Sequence, residues 1–202
     1  MAKGYTTKEK VEAYLGKDDG VSDAVLTSYI EAVEGAIDGL TDRNFIADTV
    51  ASARLYDGSG DNALLIDDCV SVTKVEVGLD SYGDDFLEIS ATGSDRYFLR
   101  PSNYSADSVP VRSIELSARD WTGGRQNNRI TAKWGYSASV PSDVSFAATV
   151  FVAGILNFAN SPGAVRSESV GEYSVTYGEG STQWGDYEGA KASLDKYVRL
   201  NL

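Results

Sequence analysis

The hydrophobic period of this chain changes twice, and that double change restricts the fold more than any other feature. Both ends carry apolar residues at steps of three and four, the spacing of one helix face, while the middle carries short runs divided by turn residues. Near the start, Thr6 and Glu9 stand in capping-box spacing ahead of Val11, Tyr14 and Leu15, and Gly16 supplies a stop. The acidic loop KDDG follows. Ser22 is a good N-cap for a second helix, with Val25/Leu26, Tyr29/Ile30, Val33, Ile37 and Leu40 on one face. That helix is expected to end near Thr41, with Phe45 turning the chain back toward a core.

The middle block reads as strands at 54–56, 63–66, 71–77, 86–89, 96–100, 111–116 and 129–134. DGSGDN, SYGDD, ATGS, PSNYSADSVP and WTGGRQNN, rich in turn residues, divide them. Ile130, Ala132 and Trp134 alternate with Thr131 and Lys133. Between Val70 and Leu79 the apolar phase slips, from Val70 and Val72 to Val75, Val77 and Leu79, as at a bulge or a strand that changes sheets. Short strands at this spacing make a β-sandwich or barrel-like module.

Helical character returns at Pro141, well placed as a first helical residue before Ser142 and Asp143. The stretch 144–159 is apolar on nearly every side, so it must be covered on more than one face, and a neighbouring subunit is one expected source of cover. It is also interrupted by polar residues and shorter than the roughly 20 residues of a membrane span. SPG ends it, Tyr173, Val175 and Tyr177 alternate along an extended arm, and a last helix carries Tyr187, Ala190, Leu194, Tyr197 and Val198. The expected class is α+β: a small α-helical bundle over 1–53 and 135–202, an inserted β domain over 54–134, and a C-terminal extended arm plus helix.

Composition then limits the chemistry. Among 202 residues there is no histidine and one cysteine, Cys69, and the formal net charge is −12. Histidine-based triads, histidine-ligated metals, internal disulfides and multi-cysteine zinc sites are excluded together. The acidic excess is spread along the chain, with no basic arm for gripping phosphates. Arg112, Arg119, Arg125, Arg129 and Lys133 come nearest to one, locally offset by Glu115 and Asp120, and read as a solvated sheet face. The first residues have no apolar segment of the kind a secretory signal carries, so the protein is expected to be made in a cytoplasm.

Individual candidates for chemistry are weak. Asp57, Ser59, Asp61 and Asp68 fall at positions 1, 3, 5 and 12 of a calcium-loop register, but Asn62 replaces its glycine and Asp68 its bidentate glutamate. A turn between two strands accounts for the same residues, and a calcium- or carbohydrate-binding β module stays open as an alternative. Asp84/Asp85 sit in a polar loop, and Cys69 begins an apolar strand without an adjacent base. No nucleophile elbow or phosphate loop is present. The reading is therefore not an enzyme, with no catalytic residue, no cofactor and no metal assigned.

Four pieces in order carry a resemblance: AIDGLTDRNF closing the second helix, RLYDGSGDNALLIDDCVSVTKVEV, ITAKWGYSASVPSDVSFAATVFVAGIL, and VRSESVGEYSVTYG before the terminal helix. Together they resemble the head–tail connector proteins, also called adaptor or head-completion proteins, of long-tailed double-stranded DNA phages. The long β insertion, which only part of that family has, and the longer tail after the third main helix are departures. The resemblance implies a structural virion protein of the neck, a ring, usually of twelve subunits, bound under the portal protein. Such a ring extends the DNA channel toward the next neck or tail-completion protein. Double-stranded DNA would pass through its lumen without sequence-specific binding, and no membrane would be involved. The resemblance also implies a portal-docking arm holding Tyr173, Val175, Tyr177 and Trp184. It places Phe146, Val150, Phe151, Ile155 and Phe158 on an inter-subunit core helix. Another neck component, a stopper or tail-completion protein, is the alternative within the same class.

Overall fold

The computed structural model describes residues 2–16, 18, 20–81, 85–160, 168–170, 173–175 and 181–199, with backbone alone for 158–160, 168–170, 173–175 and 181–186. The fold is α+β, and the chain divides into two compact units, one of residues 1–43 and 140–202 and one of residues 44–139.

The helical unit begins with α1 (Lys8–Leu15). Its N-cap is Thr7, whose hydroxyl accepts from the Lys10 N–H at 3.4 Å, and Gly16 closes it at φ 66°. The expected cap, Thr6, is one residue too early. Thr6 is buried, and its hydroxyl is 2.7 Å from that of Thr149. A long-range polar pair thus shifts the helix start by one position. The second helix, α2 (Asp23–Thr41), buries Leu26, Ile30, Val33 and Ile37 along one face and stops at Asp42 with φ 52°. Ser22 precedes it in extended conformation without a side-chain capping bond.

The third helix, α3 (Ser142–Asn160), packs against α1, α2 and the last helix, α4 (Ser181–Asp195). That explains its all-round apolar character from within the unit. Val144, Ala148, Val152 and Leu156 are fully buried, as are Leu194 of α4 and Val11 of α1. Burial of side chains of this size contributes about 1.5–3 kcal/mol each. Helix α4 ends before Tyr197, so the expected helical residues Tyr197 and Val198 lie in the turn beyond it. That turn is tied down. The Arg199 N–H donates to the Thr41 carbonyl at 3.0 Å, Arg43 Nε donates to the Tyr197 carbonyl at 2.5 Å, and the Tyr197 hydroxyl donates to Asp143 at 2.9 Å. Between α3 and α4 lies a short antiparallel hairpin, β7 (Glu168–Val170) with β8 (Tyr173–Val175).

The sheet unit is one six-stranded antiparallel sheet: β1 (Ser52–Gly58), β2 (Ala63–Gly78), β3 (Phe86–Ile89), β4 (Tyr97–Arg100), β5 (Val111–Leu116) and β6 (Gly124–Trp134). The order is β1-β6-β2-β5-β4, with β3 also on β2. The runs 63–66 and 71–77 belong to the single strand β2. Its first part pairs with β5 and its second with β6 and β3. The register shifts between Leu65 and Cys69, between Cys69 and Ser71, and between Val72 and Lys74, where the apolar phase of the sequence slips. The core of this unit centres on Trp121 and Trp134. Their indole N–H groups donate to the carbonyls of Ile114 at 3.1 Å and Ser52 at 2.9 Å. Residues before β1 join the unit too. Ile46 bridges Ser137, and Phe45, fully buried, packs on Tyr136 with ring centres 5.4 Å apart. Gly135 permits this approach, because a Cβ there would lie 2.5 Å from Ala47 Cα.

Candidate assembly surfaces

The candidates for chemistry disperse in the structure. Asp57 accepts from the Gln126 N–H at 2.7 Å, and the Ser59 hydroxyl accepts from the Asp61 N–H at 3.1 Å. Asp68 is buried on β2. The first of these bonds ties β1 to β6 and the second closes the turn, and among the described residues no group of three or more acidic or cysteine side chains is placed to share a cation. Cys69 is fully buried, and burial pushes its thiol up to about 12, with Asp68 and Asp67 adding to the rise. A thiol held protonated to that degree is inert as a nucleophile near neutral pH. Asp85 is described and Asp84 is not, so that pair lies partly outside the described residues.

The arginines of the sheet are largely committed to neighbours. Arg129 forks onto Glu76 at 2.8 and 2.6 Å and lies 4.2 Å over the Phe86 ring. Arg119 pairs with Asp95, Arg100 with Glu115 at 2.6 Å, and Arg54 with Asp67 at 2.7 Å while covering Trp134. Glu76 is held down to about 2, first by the Arg129 hydrogen bonds and then by Lys74. Cations already satisfied in this way are poorly placed to grip a phosphate backbone.

The helical unit is different. Between α2, α3 and α4 runs an open apolar groove of about 400 Å³, lined by Val33, Ala36, Ile37 and Leu40 of α2, Phe151 and Ile155 of α3, and Tyr187 and Lys191 of α4. Phe151 and Tyr187 pack at its wall with ring centres 5.0 Å apart. Elsewhere on α3, Phe146 is 47% exposed and meets Tyr14 edge-on at 6.2 Å. The residues expected on an inter-subunit helix therefore divide. Val150 faces the interior of its own unit, Phe146 is open, and Phe151 and Ile155 are half-buried at the groove. Phe158 lies on α3, but its side chain is outside the described residues.

Of the expected docking arm, Tyr173 and Val175 lie on β8 and Trp184 on α4, all three side chains being outside the described residues. Tyr177 lies outside them altogether. The groove itself was not anticipated. Leu40 and Tyr187 were visible as apolar residues of two helices, but no local pattern says that α2, α3 and α4 leave a gap between them. Among the described residues no helix is long and apolar enough to cross a membrane.

No protein-family model matches the chain, and no curated protein matches it. Solved structures do. All of this chain aligns with 94% of a chain from the virion of a native gene transfer agent particle, at TM-score 0.56 and 19% identity. A chain from the neck of the native particle, computed with C12 symmetry, aligns over 89% of this chain and 85% of its own length, at TM-score 0.51 and 18% identity. One from the neck of the empty particle, computed with C6 symmetry, aligns over 91% and 82%, at TM-score 0.50 and 18% identity. At these identities the likeness is one of fold, and it spans both the helical and the sheet unit.

Proposed function

We propose that this protein is a structural component of the neck of a tailed-phage-like particle, a head–tail adaptor that binds the portal ring. In this reading it forms a ring of its own, of twelve subunits, located in the virion between capsid and tail. The observation that carries the reading is the alignment of the whole chain with nearly the whole of a virion chain of a gene transfer agent particle. Neck chains determined under sixfold and twelvefold symmetry share the fold. A net charge of −12 suits a lumen through which DNA slides, since like charges repel and no phosphate is gripped. The absence of histidine and the buried thiol of Cys69 favour a non-catalytic role.

Within this reading the β7–β8 hairpin with Tyr173 and Val175, the following Tyr177, and Trp184 on α4 form the portal-docking arm, because a short hairpin can add to a partner's sheet edge. Phe146, exposed on α3, faces a neighbouring subunit, and the far side of the ring meets the next neck protein. Light scattering after size-exclusion chromatography, with the protein alone and mixed with the portal ring, tests the proposal. A stoichiometric shift onto the portal is expected, and replacing Tyr173 and Val175 together by serine should weaken it at least tenfold. No association with the portal at any concentration would remove the adaptor reading. Truncation before the hairpin is not a clean test, since α4 supplies the buried Ala190 and Leu194 to the helical core.

A further inference from the structure

The groove between α2, α3 and α4 has one end beside the point where the chain is fixed at Arg199. Val33, Ala36, Ile37 and Leu40 line it along α2. Thr41, the residue after Leu40, accepts the Arg199 N–H at its carbonyl at 3.0 Å. The turn before Arg199 has little freedom. Tyr197 is buried, its carbonyl accepts from Arg43 Nε at 2.5 Å, and its hydroxyl donates to Asp143 at 2.9 Å. The Val198 N–H donates to the Asp195 carbonyl at 3.2 Å. Lys191, the groove residue of α4 nearest this turn, lies about one helical turn before Asp195. The chain is therefore delivered, at a fixed point, to the Leu40 and Lys191 end of the groove. The next residues in the sequence are Leu200, Asn201 and Leu202.

We infer that the occupant of the α2–α3–α4 groove is this chain's own segment 200–202, turned back along α2 from Leu40 toward Val33. The lengths agree. Val33 and Leu40 are about 10 Å apart along the helix, and three residues of extended chain reach about 10 Å. In an extended segment Leu200 and Leu202 fall on the same side, so both meet the apolar lining while Asn201 faces away. None of the three carries a charged side chain that the groove would have to bury. Among the described residues Leu40 and Tyr187 stand exposed at the groove, and a covering segment removes that apolar surface from water. Tethering decides between this segment and an outside occupant. Fixed one residue from the groove, it competes at the high effective concentration of a short linker, which a free partner must exceed. This contact lies within one chain and needs neither a portal nor a ring. A partner can enter the groove only by displacing it.

Disulfide trapping in the full-length chain tests this directly. Ala36→Cys combined with Leu202→Cys should close an intrachain disulfide under mild oxidation in dilute solution. Glu31→Cys with the same Leu202→Cys is the control, because position 31 lies about 140° around α2 from position 36. The groove pair should close at least about tenfold faster than the control pair. Native Cys69 is fully buried and does not compete. Equal rates for the two pairs, or disulfides formed only between chains, overturn the inference, the second outcome giving the groove to another copy. Dye binding is the second readout. The parent protein should bind anilinonaphthalene sulfonate weakly, and Leu200→Ser combined with Leu202→Ser, with helicity unchanged by circular dichroism, should raise the fluorescence about threefold or more by uncovering the groove. Adding Leu40→Asp to that variant should remove the gain. A double serine variant no brighter than the parent, or a gain that Leu40→Asp leaves intact, also overturns the inference. Neither measurement involves the portal, so failure here leaves the adaptor reading standing, and failure of portal binding leaves this contact standing.

Discussion

The two units of this chain differ in the apolar surface they leave open. In the sheet unit, buried asparagines tie loops together, although Asn128 Oδ1 has no hydrogen-bond partner among the described residues. Asn127 and Asn128 are both fully buried, and Asn127 alone holds three loops. Its Nδ2 donates to the carbonyls of Asp80 at 3.1 Å and Thr122 at 2.8 Å, and its Oδ1 accepts from the Gly58 N–H at 3.2 Å. The exposed leucines of this unit are Leu55 on β1, Leu65 on β2, Leu79 just after β2 and Leu87 on β3. The helical unit instead leaves Phe146 about half exposed and an apolar groove open. Isolated apolar residues are normal on a soluble surface, whereas grouped ones mark contact with something else. The helical unit is therefore where an assembly contact is to be tested first.

The largest test of that division is Trp134→Ala. It removes a core ring and the bond to the Ser52 carbonyl, and should cost about 3–5 kcal/mol in urea unfolding. Whatever fraction stays folded should still associate as the parent does. Loss of association in fully folded protein would mean that the sheet unit takes part in assembly. Next in size is Asn127→Ala, which strands the Gly58 N–H and the Asp80 carbonyl and leaves the Thr122 carbonyl only the longer bond from Asn128 Nδ2, and should cost about 2–3 kcal/mol, read from the same transition.

The sequence makes most of these elements legible, and its failures have particular causes. Strands 86–89 and 111–116 have the expected bounds because turn residues flank them closely. The phase slip in β2 is legible because a bulge must move side chains to the other face. Strand β6 begins at Gly124, five residues before the expected start, because Asn127 and Asn128 look like turn residues. Only loops distant in sequence reveal that they are buried acceptors and donors. Glu34 is a different kind of miss. It lies four residues after Ile30 and three before Ile37, on the buried face of α2, so its position alone announced a buried carboxylate. It accepts from the N–H groups of Lys3 at 2.6 Å and Tyr5 at 2.8 Å, binding the N-terminal segment to the helix. The arm and α3 are visible in the sequence as patterns, the arm's side chains lying outside the described residues. The groove is not, since three helices meet there only in the folded unit.

A smaller effect sharpens the account of the sheet. Glu76 titrates near 2 in the folded protein and near 4.5 when free of its partners. Its folded value is depressed, so the stability it contributes is complete above about pH 5 and disappears as pH falls through 4.5 toward 2. Arg129 and Lys74 are partly solvated, which reduces the gain to about 1–2 kcal/mol. Between pH 6 and pH 2.5 the parent protein should therefore lose that much more stability than Glu76→Gln, measured by urea unfolding at each pH. Equal losses would mean that the Glu76–Arg129 fork adds nothing to the self-sufficiency of the sheet unit.

The smallest expected change is the most discriminating. Phe146→Ser removes an exposed ring from a helix whose buried positions are filled by Val144, Ala147, Ala148 and Val150. Its packing loss is that of a half-buried ring, including the edge contact with Tyr14, so thermal unfolding at a concentration where the protein is monomeric should show a cost of about 1 kcal/mol. A cost of about 2 kcal/mol or more would mean that Phe146 belongs to the core of its own unit. An aromatic residue that contributes little to the monomer has its apolar surface available for a contact between subunits, and the unfolding measurement detects that availability without assembling the ring.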